Sequence, residues 1–285
     1  MAPLLLAPLC LLLSSRWPLS TRTQRSRTQR SRTAVRMLEV GGVEIPNARV
    51  SPASRALDEI AWPSEWPHSR QEMTPQDPGG DGLFYLLPRF VQHAGDGARA
   101  ALEEYYEAAL LHAAEGAGPE GAAVLDLCSS FTSHYTPPTP AFSRFVVVGL
   151  NGIELFANRA ATERRVYNLN ENPSLPFLAD ASFRAVTCSL SVDYLTSPRE
   201  IFGEVYRVLE PGGIACFAFT NRCFPEKVVS KWLAPFDDLA HIRLVASYFH
   251  YTGPWADLAV ADVTPPGWGA DPMFVVQARK PRAGS

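Results

Sequence analysis

Five short apolar runs, AAVLDL (122–127), RFVVVGL (144–150), RRVYNL (164–169), AVTCSL (185–190) and IACFAF (214–219), follow one another between segments of helical spacing. Runs of this length and character are what a parallel sheet buries on both faces. Strands alternating with helices imply an α/β fold built on a doubly wound, mostly parallel, Rossmann-like sheet. Two later strand candidates, near 243–248 and MFVVQAR at 273–279, bring the count to seven.

The intervening helices are read at 152–161, 197–210 and 225–234. In the second, Ser197 is expected to cap, Pro198 to take the first turn and Glu200 to complete a capping box. Ile201, Val205, Val208 and Leu209 supply its apolar stripe, and Pro211, Gly212 and Gly213 end it. Before the first strand, Asp96 is expected to cap a helix in which Ala101, Leu102, Tyr105, Tyr106, Ala109 and Leu110 recur at spacings of three and four. Its tyrosines suit a lid over a pocket or plain packing against the sheet. Residues 37–82 are rich in Pro, Gly, Ser and Trp without a sustained period, and residues 37–95 read as an irregular extension ahead of a domain at 96–282.

Charge separates the first 36 residues from the rest. They contain seven arginines and no Asp, Glu or Lys; without them, 19 basic residues face 29 acidic ones, a balance of −10. An apolar stretch from Leu4 to Leu13, broken by Pro8, precedes the arginine- and hydroxyl-rich near-repeat RTQRSRTQRSRT, and together these read as a targeting peptide. A secretory signal followed by a plastid transit peptide fits both parts; a mitochondrial presequence and a plain secretory signal are the alternatives. No run reaches the roughly 20 residues of a membrane-spanning helix, so no stable membrane insertion is expected. Nucleic acid is an unsuitable partner for so acidic a remainder. The five cysteines form no CxxC pair and have no His-rich partner tract, which leaves neither a metal site nor a disulfide framework to expect.

Ligands of doubly wound sheets lie beyond the carboxyl ends of the strands. Those positions carry Asp126, Cys128, Ser129 and Ser130; Asn151, Gly152 and Glu154; Asn168, Leu169 and Asn170; Ser189 to Tyr194; and Thr220 to Arg222. Polar side chains thus cluster where the fold places a pocket.

LPFLADASF (175–183) and RVLEPGG (207–213), at this spacing around a strand and a capped helix, resemble the class I S-adenosylmethionine-dependent methyltransferases of the small-molecule type. The wider stretches SVDYLTSPREIFGEVYRVLEPGG, TNRCFPEKVVSKW and SYFHYTG look like a methyltransferase-like family of plants and algae. The resemblance implies a seven-stranded sheet with an antiparallel last strand, S-adenosylmethionine as cofactor and a small molecule as acceptor. It puts Asn151 where an acid normally accepts both ribose hydroxyls, and Asn168 where an acceptor meets the adenine amino group beside the Leu169 backbone. Asp126 is then placed to counter a cationic ligand, or to fix the turn. The chain departs from the family in its first loop, DLCSSFTSHY, which has no glycine. A ligand without a pyrophosphate does not need the close backbone approach that glycines give dinucleotides, so this loop argues against an oxidoreductase.

Methyl transfer from a sulfonium needs alignment more than a protein nucleophile. Proton acceptors near the expected mouth are His134, Tyr135, Asp193, Tyr194 and His250, each with a structural alternative in packing, turn capping or solvation. An organelle methyltransferase acting on a small metabolite is the leading expectation. The rival is a methyltransferase-like binding or scaffold protein without turnover, which the glycine-free loop and the two asparagines favour. The sequence sets no oligomeric state.

Overall fold

The computed structural model describes residues 37–285 apart from 116, 118–120, 138–140, 283 and 285, so the leader read at 1–36 lies outside the described residues. The stretch expected to be irregular opens with a hairpin of β1 (Met37–Val40) and β2 (Val43–Pro46). Gly41 and Gly42 turn it with φ of 52° and 77°, the positive values that tight hairpins need and that no period in the sequence signals. A single helical turn, α1 (Asp81–Phe84), precedes α2 (Asp96–Ala114). Gly95, not Asp96, holds the capping position of α2 and provides no side-chain bond; Asp96 pairs with Arg99 instead.

The chain then forms β3 (Ala122–Leu127), β4 (Phe142–Gly149), α3 (Gly152–Ala157), β5 (Glu163–Val166) and β6 (Phe183–Ser189). After these come α4 (Pro198–Val208), β7 (Leu209–Phe219), α5 (Ser230–Leu233), α6 (Asp238–His250), β8 (Ala256–Asp262) and β9 (Phe274–Arg279). The seven strands β3 to β9 form one sheet in the order β5-β4-β3-β6-β7-β9-β8. All run parallel except β9, the last, which is antiparallel to β7 and β8.

Each face of the sheet has its own core. Ile201, Phe202, Val205 and Val208 of α4 pack with Ile242, Val245 and Phe249 of α6 on one face. On the other, Leu102, Tyr105, Tyr106 and Leu110 of α2 pack with Val43 and Ile45 of the hairpin. The two tyrosines are core and not a lid: Tyr105 donates to Gln277 Oε1 at 2.5 Å, and the Tyr106 and Ser189 hydroxyls bond at 2.8 Å. Arg184 closes the far end of α2 by donating to the carbonyls of Ala113 and Glu115.

Four local expectations are corrected. Ser197 makes no capping bond, so the capping box does not form although Pro198 does begin α4. The strand read at 243–248 lies inside α6; Asp237 caps that helix through Ala240 N, and burial of nearly its whole circumference hides the helical period. The missing strand is β8, in the stretch read as a loop. The helix read at 225–234 shrinks to α5, and that read at 152–161 to α3.

Candidate active site

The strand order reverses between β3 and β6, the place where open α/β sheets bind ligands. A cavity of about 360 Å³ opens there, at the carboxyl ends of β3 to β7.

The first loop crosses β4 at Gly149, where an added Cβ would lie 2.1 Å from the Ser129 carbonyl oxygen. The glycine absent from the loop is thus supplied by the strand beneath it, and Ser129 N donates to Val148 O at 2.8 Å. Cys128 takes the left-handed turn itself, at φ 54°, a conformation that usually costs a non-glycine residue about 1–2 kcal/mol.

Asp126 is 1% exposed and accepts from Thr187 Oγ1 at 2.7 Å; Thr187 is in turn bonded to Tyr135 at 2.6 Å. Burial pushes its carboxyl up to about 6, and the hydroxyls of Ser133, Ser129 and Thr187 hold it from rising further. No cation pairs with it among the described residues.

Asn151, which the resemblance places at the ribose, is bonded throughout by the protein itself. Its Oδ1 accepts from Ile153 N at 3.0 Å and Glu154 N at 3.2 Å, capping α3, while Nδ2 donates to Tyr85 O at 2.9 Å and Leu86 O at 3.2 Å. Every donor and both lone pairs of the amide are taken by the protein. Glu154, in the first turn of α3, lines the cavity beside it. Its two oxygens accept from Ser130 Oγ and Arg89 N, both at 2.6 Å, leaving one acceptor site on each.

At the end of β5, Asn168 Oδ1 accepts from Asn170 N and forms a tight turn. Asn170 donates to Asp81 Oδ2 and Tyr194 O and accepts from Thr196, so it fastens α1 to the sheet. Asp126, Cys128, Ser129, Ser130, Asn151, Asn168, Leu169, Asn170 and Ser189 all line the cavity, whereas Gly152 does not.

Of the proton-transfer candidates, His134 and Tyr194 reach the cavity. Burial, with Arg99 and His93 nearby, pulls His134 down to about 4, so its imidazole is neutral. The Tyr194 hydroxyl accepts from Phe224 N at 2.9 Å, and burial raises its phenol well beyond the usual range. Tyr135 is sealed in the core, Asp193 lies behind the wall at 3% exposure, and His250 stacks on Trp62 at 4.8 Å away from the cavity. Burial also pushes Asp193 up to about 7.

The sequence reading missed the wall built by residues 81–93. Asp81, Tyr85, Arg89 and His93 line the cavity, with the Arg89 guanidinium 4.3 Å from the Phe84 ring and 5.3 Å from Phe224. No period marks this stretch; its cue is a cluster of aromatic and charged side chains with no amphipathic pattern. No group of three or more metal-ligating side chains occurs among the described residues.

Residues 131–217 match the family model described as a methyltransferase domain. That stretch runs from the first loop to near the end of β7 and includes Asn151, Glu154, Asn168 and Ser189. The sheet is Rossmann-like, seven-stranded and mostly parallel with an antiparallel last strand. Solved structures with similar folds include an S-adenosylmethionine-dependent methyltransferase from Mesorhizobium loti, 18% identical over 60% of this chain and 98% of that one, with a TM-score of 0.38. Geranyl diphosphate C-methyltransferase from Streptomyces coelicolor is 15% identical over 76% and 100%, with a TM-score of 0.41. A protein solved in complex with the Trm112 methyltransferase activator of Haloferax volcanii is 17% identical over 66% and 95%, with a TM-score of 0.41. No curated protein sequence matches significantly.

Proposed function

We propose that the protein is an S-adenosylmethionine-dependent methyltransferase acting on a small organelle metabolite. The observation that carries this reading is one hollow at the sheet reversal that gathers a buried anion, Asp126, a second carboxylate with open acceptor sites, Glu154, and the Asn168-Leu169 turn. These residues fit the cofactor: Glu154 accepts the ribose hydroxyls, Asp126 with the Ser129 loop faces the charged amino-acid end, and the turn at Asn168 receives the base. Bound there, S-adenosylmethionine supplies an electrophilic methyl group.

The chain's own residues then orient the acceptor and exclude water. Tyr85, Arg89, His93, Tyr194 and Phe224 form the wall on the acceptor side, and a cavity of about 360 Å³ is at the small end of the roughly 300–1,000 Å³ of small-molecule sites. Burial lowers His93 as well as His134, so both imidazoles are neutral proton acceptors facing the hollow.

Calorimetry and thermal melting with S-adenosylmethionine and S-adenosylhomocysteine test this. A ligand at 100 times its Kd is expected to add about 2.7 kcal/mol of stability. Glu154→Gln replaces charge-assisted bonds with neutral ones and is expected to weaken binding by about 1 kcal/mol or more, several-fold in Kd. The absence of both heat and a melting shift at millimolar ligand would overturn the assignment. Binding without transfer of labelled methyl groups into any organelle metabolite would leave a binding protein.

The leader is read as a plastid address. A fluorescent protein behind residues 1–36 is expected in plastids; mitochondrial or cytosolic signal contradicts that.

A further inference from the structure

We infer that the rim of the cavity beside β5 docks on the surface of an anionic lipid bilayer. Large apolar side chains are exposed together here: Leu86 (66%), Leu87 (74%), Phe90 (54%), Ile153 (61%), Phe156 (81%) and Val166 (63%). They come from three segments that the structure ties into one surface. The Leu86 carbonyl accepts from Asn151 at the start of α3, and Arg89 N donates to Glu154 within it. A Cβ on Gly152 would touch Val166 at 3.2 Å. Ile153 and Phe156 stand three residues apart on one face of α3, while Leu155 is buried. Clustered exposure of this kind marks an interaction surface, whereas single exposed hydrophobes are ordinary.

The charges around it select the partner. Arg159 and Arg165 are exposed on the same edge, and Arg164, also exposed, donates to the carbonyls of Leu155 and Asn158, in a chain whose remainder is acidic. The acids of this stretch are each engaged: Glu154 accepts from Ser130 and Arg89 N, and Glu163, partly exposed, is paired with Arg144. What faces outward is therefore an apolar patch bordered by the guanidinium groups of Arg159 and Arg165, the combination that an interfacial surface presents to anionic headgroups. A second copy of the chain fits poorly, because β5 borders only β4 and its outer edge would bring Arg165 and its neighbours against their own kind. Docking in this sense is peripheral, and no helix among the described residues is long and apolar enough to cross a membrane.

The test is a photocrosslink read by mass spectrometry on the full chain, with benzoylphenylalanine at Phe90, at Phe156, and, as control, at Trp268, an exposed residue on the β8–β9 loop. A local crosslink separates this surface from any lipid affinity of the arginine-rich leader. With vesicles of phosphatidylcholine and phosphatidylglycerol in equal parts, lipid adducts are expected at 90 and 156 and not at 268, with few on phosphatidylcholine alone. Arg159→Glu with Arg165→Glu is expected to cut them about ten-fold. Adducts to a second chain or to the leader, no lipid adduct at 90 and 156, or equal adducts at all three positions would each overturn the inference. The adducts form without cofactor, so their absence says nothing against methyl transfer, and failure to bind S-adenosylmethionine says nothing against docking.

Discussion

Replacing Asp126 with asparagine is expected to stabilise the protein at pH 8 by about 2 kcal/mol while weakening S-adenosylmethionine binding by roughly ten-fold or more. The first effect follows from the direction of the shift. Burial raises the folded carboxyl from 3.8 to about 6, so between those values the folded state holds more protons than the unfolded one. Stability on this account is highest below about pH 4 and is lost as pH rises through 6, because the ionised group is desolvated without a cation beside it. Asparagine removes that charge while keeping an acceptor for the Thr187 hydroxyl.

The second effect follows from the place of Asp126 in the hollow, where its charge is the unpaired anion available to a cationic ligand. Asp193→Asn is the control, since that carboxyl is raised from 3.8 to about 7 by burial yet lies behind the cavity wall. It is expected to stabilise at pH 8 and to flatten the loss of stability between about pH 4 and 7, with no change in ligand affinity. Melting curves from pH 4 to 8 and calorimetry on both variants separate the two roles. If Asp126→Asn melts lower than the parent at pH 8, or binds S-adenosylmethionine equally well, a buried anion kept for a ligand is the wrong description. Such opposition between stability and binding is common where a site holds a desolvated charge.

The parallel sheet was legible because its strands are apolar on both faces, and a run such as RFVVVGL has few other uses. The strand ends were legible for the same reason: once the runs are in register, Asp126, Ser130, Asn168 and Ser189 can only project beyond them. Helix α6 was not, because a helix buried almost all round loses the polar stripe that reveals its period, and Ile242 to Phe249 then reads like a strand. Residues 81–93 were hidden by a different cause. Their part in the wall is set by single long-range bonds, such as Asn170 to Asp81 and Glu154 to Arg89 N, which leave no local pattern. The first loop shows the limit of motif reading most sharply. The glycine-free loop DLCSSFTSHY was read as favouring a binding protein without turnover, but the close approach is made at Gly149 on the neighbouring strand.

Asn151 provides the sharpest test of that limit, since a family pattern read literally recommends an acid there. Asn151→Asp is expected to destabilise the protein by about 2–4 kcal/mol and to weaken, not tighten, S-adenosylmethionine binding. The amide's two donors are spent on Tyr85 O and Leu86 O, so a carboxylate would set its negative oxygens against two carbonyl oxygens. One carboxylate oxygen would still cap α3, and its charge would favour the helix terminus by about 0.3–1 kcal/mol, less than the loss of two bonds and the repulsion that replaces them. Relief comes only by moving residues 85 and 86 outward, which carries Tyr85 from the wall and draws Arg89 N away from Glu154, the carboxylate proposed to hold the ribose. Limited proteolysis should therefore cut the 84–92 stretch faster in the variant, in step with a lower melting temperature and a higher Kd. A variant that melts like the parent and binds S-adenosylmethionine more tightly would show that position 151 meets the ribose after all, and that the bonds to residues 85 and 86 are dispensable.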